Sequence, residues 1–243
     1  MHRMLEGIAL VAFDLDGTLI DSVPDLAIAV DAALGELGLP AAGEARVRDW
    51  VGNGSRVLME RALINAPPLR SVAGTSPGAA SSGGAVPVDA EEVDSTLLER
   101  AHAAFLAHYG RDPGAHTRLY PGARECLDAL RARGLPLALV TNKPHAFIAP
   151  LLEGLGLAEH FALCLGGDSL PEKKPHPAPL QHVAAHFGVA PQACLMVGDS
   201  RHDIAAGRAA GFRTLAVPYG YNHGEPVRES GPDGVVESLA ELV

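Results

Sequence analysis

Residues 7–20, GIALVAFDLDGTLI, constrain the rest of the chain. Ile8 through Phe13 are six consecutive apolar residues without alternation, the pattern of a strand buried on both faces inside a parallel sheet. The run stops at carboxylates. Asp14 and Asp16, followed by Gly17 and Thr18, fall where the strand ends, and open α/β sheets bind their ligands at that edge. An Asp-Gly turn accounts for Asp16 and Gly17 but leaves Asp14 without a role. An acid that continues an apolar strand is costly to desolvate unless a cation sits beside it. The stretch therefore predicts a metal, with further ligands downstream.

After the acidic loop the pattern becomes helical. Asp21 or Ser22 is placed to cap a helix with Pro24 in its first turn, and Leu26, Val30, Ala33, Leu34 and Leu37 recur at helical spacing up to Gly38. Further helices are predicted over about 44–50, 55–65 and 89–109. Residues 66–90 are rich in Pro, Gly and Ser, which predicts a mobile low-complexity insertion between helices. From Pro121 on, strands over about 135–140, 161–165, 194–197 and 214–217 alternate with helices. Those helices cover about 122–133, 145–156, 178–187 and 203–210, and a last one holds Val236, Leu239 and Leu242. Such alternation means right-handed crossovers and a parallel sheet, which the first strand must join. The expected fold is α/β: a Rossmann-like parallel-sheet core, residues 1–22 and 117–243, with a helical domain, residues 23–116, inserted after the first strand.

The whole-chain properties narrow the partners. A length of 243 residues with 47% hydrophobic content is enough for one large domain or two modest ones. The net charge of -10 argues against nucleic acid or an anionic membrane, although a bound divalent cation would reverse the field locally. No apolar run reaches the roughly 18 residues of a membrane span, and the first strand starts close to the N-terminus, so a cytoplasmic protein is expected. Cys126, Cys164 and Cys194 are widely spaced and are expected to be reduced thiols.

Each polar cluster falls just past a strand end: Asp14 and Asp16, then Thr141, then Asp199, with Lys174 in the loop after the third strand. In a parallel sheet these ends share one edge, so the groups converge on one crevice. Carboxylates, a hydroxyl and a lysine suit Mg²⁺ and a phosphoryl group, because hard oxygen ligands select hard cations. Singly, each has a plainer account: Thr141 as a turn hydroxyl, Lys174 as a surface cation, Asp203 as a helix cap. The eleven histidines show no ligand spacing.

DLDGTL at 14–19, VTNK at 140–143, KKPHP at 173–177 and GDSRHD at 198–203 resemble, in order, the four motifs of the haloacid dehalogenase-like hydrolases. The resemblance covers essentially the whole chain, and the helical insertion resembles the family's C1-type cap. It implies an Mg²⁺-dependent phosphomonoester hydrolase in which Asp14 attacks phosphorus, splitting one hard step into two through an aspartyl-phosphate. Asp16 would protonate the leaving alkoxide and then activate water. Mg²⁺ would be held by a carboxylate oxygen of Asp14, the backbone carbonyl of Asp16 and a carboxylate oxygen of Asp199. Thr141 and the backbone N–H of Asn142 would bind phosphoryl oxygens, Lys174 would neutralise charge and orient Asp14, and Asp203 would support the metal or cap its helix.

Within the family, WVGNG at 50–54, GGDS at 166–169 and YGYNHGE at 219–225 resemble the members that act on a small acidic metabolite, and this resemblance implies 2-phosphoglycolate as substrate. Gly52, Asn53 and Gly54 are then candidates for the cap loop that reaches the site. Arg56 and Arg201 are candidate clamps for a substrate carboxylate, set against the plainer expectation of surface arginines. The rivals are a phosphatase for a sugar phosphate or nucleotide, a phosphosugar mutase, and a binding-only module, which the complete set of acids, hydroxyl and lysine disfavours. A hydrolytic dehalogenase has no need of the metal, and a phosphonate-cleaving enzyme wants a cap lysine where residues 23–116 hold none. A monomer or homodimer is expected.

Overall fold

The computed structural model describes residues 2–66 and 93–243. The first elements in chain order are β1 (Leu10–Phe13), β2 (Ile20–Asp21), α1 (Val23–Glu36), α2 (Glu44–Trp50), α3 (Ser55–Ile64), α4 (Ser95–Tyr109) and β3 (Arg118–Leu119). Then follow α5 (Ala123–Ala132), β4 (Leu137–Val140), α6 (Ile148–Gly154), β5 (Leu163–Leu165), α7 (Ala178–Phe187), β6 (Cys194–Gly198), α8 (Arg201–Ala210), β7 (Arg213–Ala216) and β8 (Gly234–Val235).

Six strands form one parallel sheet in the order β5-β4-β1-β6-β7-β8. β1 lies inside it, between β4 and β6, and has no exposed residue. Its alternate side chains feed two cores. Val11 and Phe13 pack with Leu127 and Leu130 of α5 and Leu151 of α6, whereas Leu10 and Ala12 pack with Leu180 and Val183 of α7 and Ala206 of α8. Burial of each large side chain contributes about 1.5–3 kcal/mol, and a strand covered on both faces needs the unbroken apolar run seen in the sequence.

The chain leaves the sheet after β1 and returns before α5. The outgoing β2 and the returning β3 pair antiparallel, Ile20 with Leu119 and Asp21 with Arg118. Beyond this ribbon lies the inserted helical cap, α1 to α4, with its own core of Leu26, Val30, Leu34, Met59 and Phe105. Asp25 ties the return: its carboxylate accepts from the His116 N–H at 3.0 Å and from Thr117 Oγ1 at 2.7 Å.

Two sequence expectations need correction, the start of the long helix and the last helix, and a third falls on residues that are not described. The long helix begins at Ser95, where Asp94 accepts from the Thr96 N–H; the part of that expectation before residue 93 lies outside the described residues. The insertion over 66–90 also lies, apart from Ala66, outside them. No helix holds Val236: Gly234 and Val235 pair with Leu215 and Ala216 as an edge strand, and Leu239–Leu242 is a 3-10 turn started by Ser238. Apolar residues spaced by three fit that tighter turn as well as they fit an α-helix. Among the described residues no helix is long and apolar enough to cross a membrane.

Candidate active site

The ladder hydrogen bonds of the sheet run one residue past the named strands and fix the first groups of the site. Asp14 N–H donates to Val197 at 2.9 Å, and Thr141 N–H donates to Leu165 at 3.0 Å. Asp14, Thr141 and Asp199 thus follow three neighbouring strand ends, and all are buried. The loop after β5 brings Lys174 to them, anchored where the Asn142 side-chain amide donates to the Lys174 carbonyl at 2.9 Å.

Lys174 is 3% exposed and its ammonium lies between two carboxylates. Nζ is 2.6 Å from Asp203 Oδ1, to which it donates, and 2.9 Å from Asp14 Oδ1, an ion pair off the hydrogen-bonding angle. Asp14 Oδ1 accepts no hydrogen bond from the described residues. Burial, opposed by Lys174 and reinforced by Asp203, pushes the Asp14 carboxyl up to about 7. Burial, together with Asp203 and Asp14, also holds Asp199 well above the usual carboxylate range, partly opposed by bonds from Thr18 and the Tyr221 N–H. Asp203 takes the expected place of a helix cap, with Oδ2 accepting from Ser200 N–H and Oγ at the start of α8, while Oδ1 accepts from Lys174.

Asp199 is gripped on both oxygens. Oδ1 accepts from Thr18 Oγ1 and Oδ2 from Tyr221 N–H, each at 2.6 Å. The backbone closes around it at two glycines: a Cβ on Gly17, whose φ is +88°, would stand 2.2 Å from Asp199 Oδ2, and one on Gly220 would stand 2.3 Å from the same atom. Carboxylate oxygens of Asp14, Asp199 and Asp203 lie within 4.8 Å of one another. An all-oxygen set, buried, crowded and holding an oxygen without a hydrogen bond, fits a hard divalent cation.

Asp16 stands apart from that cluster. Its carboxylate accepts from Ser22 Oγ at 2.5 Å and from Lys143 Nζ at 3.0 and 3.1 Å. Lys143 was not among the residues expected to act. It follows Thr141 and Asn142 in the same motif, but its partner is 127 residues away, so no local pattern marks it. Burial works against the Lys143 charge, yet Asp16 and Tyr109 outweigh it and hold the ammonium above its ordinary range. Thr18 and Tyr221, both on Asp199, were also missed; only their places within the DLDGTL and YGYNHGE segments signal them.

The cap closes over these groups. Asp14, Asp16, Thr141, Asn142, Lys143, Pro144 and Phe147 form one side of a cavity of about 50 Å³. Leu26, Val51, Gly52, Gly54, Ser55, Leu58, Phe105 and Tyr109 form the other. Gly52 and Gly54 therefore reach the site, and the Gly52 carbonyl accepts from Asn142 Nδ2 at 3.0 Å. Asn53 is turned to other partners: Nδ2 is 2.8 Å from His202 Nε2, and Oδ1 accepts from Arg61. The expected clamps are corrected by their partners. Arg56 forks onto Glu99 and Arg201 pairs with Glu225, both on the surface and outside the cavity lining.

Comparison with known proteins agrees with this geometry. The family model for haloacid dehalogenase-like hydrolases matches residues 8–211. The phosphoglycolate phosphatase of Escherichia coli K12 is 48% identical over 238 residues, 98% of this chain and 92% of that protein. The one from Nitrosococcus oceani is 43% identical over 239 residues, 98% and 96% of the two chains. The crystal structure of a predicted phosphoglycolate phosphatase from Haemophilus somnus superposes with a TM-score of 0.85 at 38% identity, over 97% of this chain and 96% of that one. Strand ends that gather acids, a hydroxyl and a lysine under a helical cap, together with a family match over most of the length, make this chain a member of the haloacid dehalogenase-like hydrolases.

Proposed function

We propose that the chain is an Mg²⁺-dependent phosphomonoesterase that hydrolyses 2-phosphoglycolate to glycolate and phosphate. The observation that carries this reading is Asp14 itself: a buried carboxylate at the end of β1, with an oxygen free of hydrogen bonds, facing Lys174 and Asp199. Asp14 attacks phosphorus in line with the leaving oxygen, and the ester bond breaks as the aspartyl-phosphate forms. Asp16, positioned by Ser22 and Lys143, gives its proton to the leaving alkoxide and takes one from the water that attacks the intermediate. Thr141 and the Asn142 N–H hold phosphoryl oxygens, and Lys174 offsets charge beside Asp14. Asp14, the Asp16 carbonyl and Asp199 would hold Mg²⁺, with Asp203 steadying Lys174; bound there, the ion supplies Lewis-acid neutralisation of the phosphoryl charge.

Residues 23–116 act in this reading as the cap that excludes water and reads the leaving group, with 1–22 and 117–243 as the catalytic core. A cavity of about 50 Å³ has room for only a few waters, which favours a leaving group of a few heavy atoms over a hexose. The names of the curated relatives support the choice of 2-phosphoglycolate. A cytoplasmic setting belongs to the same reading and is supported by three free thiols, none paired in a disulfide.

The test is phosphate release with and without Mg²⁺ from 2-phosphoglycolate, glucose 6-phosphate, β-glucose 1-phosphate, pyrophosphate and nucleoside monophosphates. Asp14→Asn is expected to lower kcat on the order of 10⁴-fold or more, as removal of a nucleophile does. A rate that favours 2-phosphoglycolate supports the substrate; another profile keeps the mechanism and moves the substrate. Isomerisation of β-glucose 1-phosphate with little free phosphate would make the chain a mutase.

A further inference from the structure

Most polar side chains around the cavity have partners within the protein. Ser55 Oγ is 2.8 Å from His102 Nε2, Thr141 Oγ1 accepts from the Lys143 N–H, and the Asn142 amide spans the Gly52 and Lys174 carbonyls. Asp14 Oδ1 and Asn142 Oδ1 are acceptors without a hydrogen-bond partner, and Tyr109, at the last position of α4, is the one unpartnered hydroxyl donor among the described lining residues. It is 2% exposed, lines the cavity, and its hydroxyl meets no hydrogen-bond partner among the described residues. Its ring is fixed by stacking on Phe105 and by an edge contact with Phe147 at 4.9 Å between centroids. A buried donor left without an acceptor is costly, so a phenol held rigidly at a cavity wall calls for an acceptor that the protein does not supply.

Lys143 stands beside it. Nζ lies 4.7 Å from the centre of the Tyr109 ring while bonded to Asp16, and no other cation among the described residues lines the cavity. Burial pushes the Tyr109 phenol up to about 12, with Lys143 opposing and Asp16 adding, so it remains a donor at neutral pH. The rest of the nearby wall, Leu26, Leu58, Phe105 and Phe147, offers a charged ligand nothing.

We propose that Tyr109 and Lys143 form the subsite for the carboxylate of the leaving group, the phenol donating a hydrogen bond and the ammonium supplying charge. This rests on 2-phosphoglycolate being the substrate. The arrangement gives the cap one polar contact with the substrate and leaves its other contacts apolar. Tyr109 then belongs to both the cap core and the substrate site, so a carboxylate gains a hydrogen bond from the cap that a neutral leaving group lacks.

The experiment compares kcat/KM for 2-phosphoglycolate with kcat/KM for ethyl phosphate, the same two-carbon ester with a methyl group in place of the carboxylate. Wild type is expected to favour 2-phosphoglycolate. Tyr109→Phe, which keeps the ring, is expected to lower that preference on the order of tenfold to a hundredfold through KM, with ethyl phosphate changed less than about twofold. Lys143→Met is expected to slow both substrates, because Lys143 also holds Asp16, and to slow 2-phosphoglycolate more. Thermal unfolding of Tyr109→Phe should match or exceed wild type, since no protein hydrogen bond is lost. An unchanged preference in Tyr109→Phe, or an equal loss on both substrates, overturns the subsite while the substrate reading stands. A wild type without preference overturns the substrate reading and the subsite with it.

Discussion

On the core side of the cavity each charged group is held by another charge or by a backbone bond, whereas on the cap side the polar groups are mostly bonded elsewhere. Lys174 sits between Asp14 and Asp203, Lys143 is locked to Asp16, and Asp199 takes bonds from Thr18 and Tyr221. Across from them, Ser55 is turned to His102, Asn53 to His202 and Arg61, and Arg56 to Glu99. The core wall is preorganised, so its charges need no rearrangement as phosphorus changes geometry. The cap wall supplies shape and dryness, which strengthen those charges. If this division holds, substitutions on the two walls must differ in kind as well as in size.

The largest break should come from Lys174→Met. Removing one member of a buried charge set leaves Asp14 and Asp203 facing each other, with an expected loss of about 3–5 kcal/mol in chemical unfolding and on the order of 10² in kcat. The stability loss should be greater in EDTA than in saturating Mg²⁺, because a cation among the acids offsets part of the repulsion. Equal losses in both conditions would argue against a metal in that cluster.

Gly17→Ala comes next. Its Cβ would strike Asp199 Oδ2, and its φ of +88° is strained for any side chain. Displacing one carboxylate should raise the Mg²⁺ concentration for half-maximal activity by about tenfold to a hundredfold, leaving kcat in saturating Mg²⁺ less affected. A Mg²⁺ titration of activity checks this, and an unchanged midpoint would remove Asp199 from the metal site.

The two walls were also unequally legible in the sequence. The core groups follow apolar runs, and a parallel sheet puts every such end on one edge, so Asp14, Thr141, Lys174 and Asp199 could be placed together before any coordinates. Lys143 could not, because its partner Asp16 is far away in the chain. Tyr109 reads as one more core aromatic at helical spacing; only the fold leaves its hydroxyl at a cavity. The β2–β3 ribbon, two residues on each side, is too short to show any period. Arg56 and Arg201 show the opposite limit: a guanidinium's chemistry suggests a clamp, but acids on neighbouring elements occupy it.

A smaller effect is expected where the walls meet. His202 of α8 bonds Asn53 of the cap loop and lies 5.6 Å from His223, ring to ring. Burial, then His223, lowers the His202 pKa to about 4 from 6.5, with Arg201 and Lys174 adding to the fall and Asp203 opposing it. The folded state therefore binds this proton less readily than the unfolded chain. Its contribution to stability is complete above pH 6.5 and is lost as pH falls toward 4. For a partly exposed group, discounted for solvent screening, about 1 kcal/mol is expected. Thermal unfolding between pH 7 and pH 4 should fall less steeply in His202→Asn than in wild type; parallel curves would remove His202 from the pH dependence.

The smallest effect should come from Arg56→Ala, and its smallness is what sharpens the contrast between the walls. Arg56 and Glu99 are both largely exposed, with side-chain exposures of 52% and 62%, and an ion pair in that setting contributes about 0–1 kcal/mol. Because Arg56 does not line the cavity, kcat/KM on 2-phosphoglycolate should change less than about twofold, and so should the ratio to ethyl phosphate. A tenfold loss confined to 2-phosphoglycolate would mean that Arg56 leaves Glu99 when substrate binds. The cap would then carry a mobile cation, and its wall would be as charged in the complex as the core's.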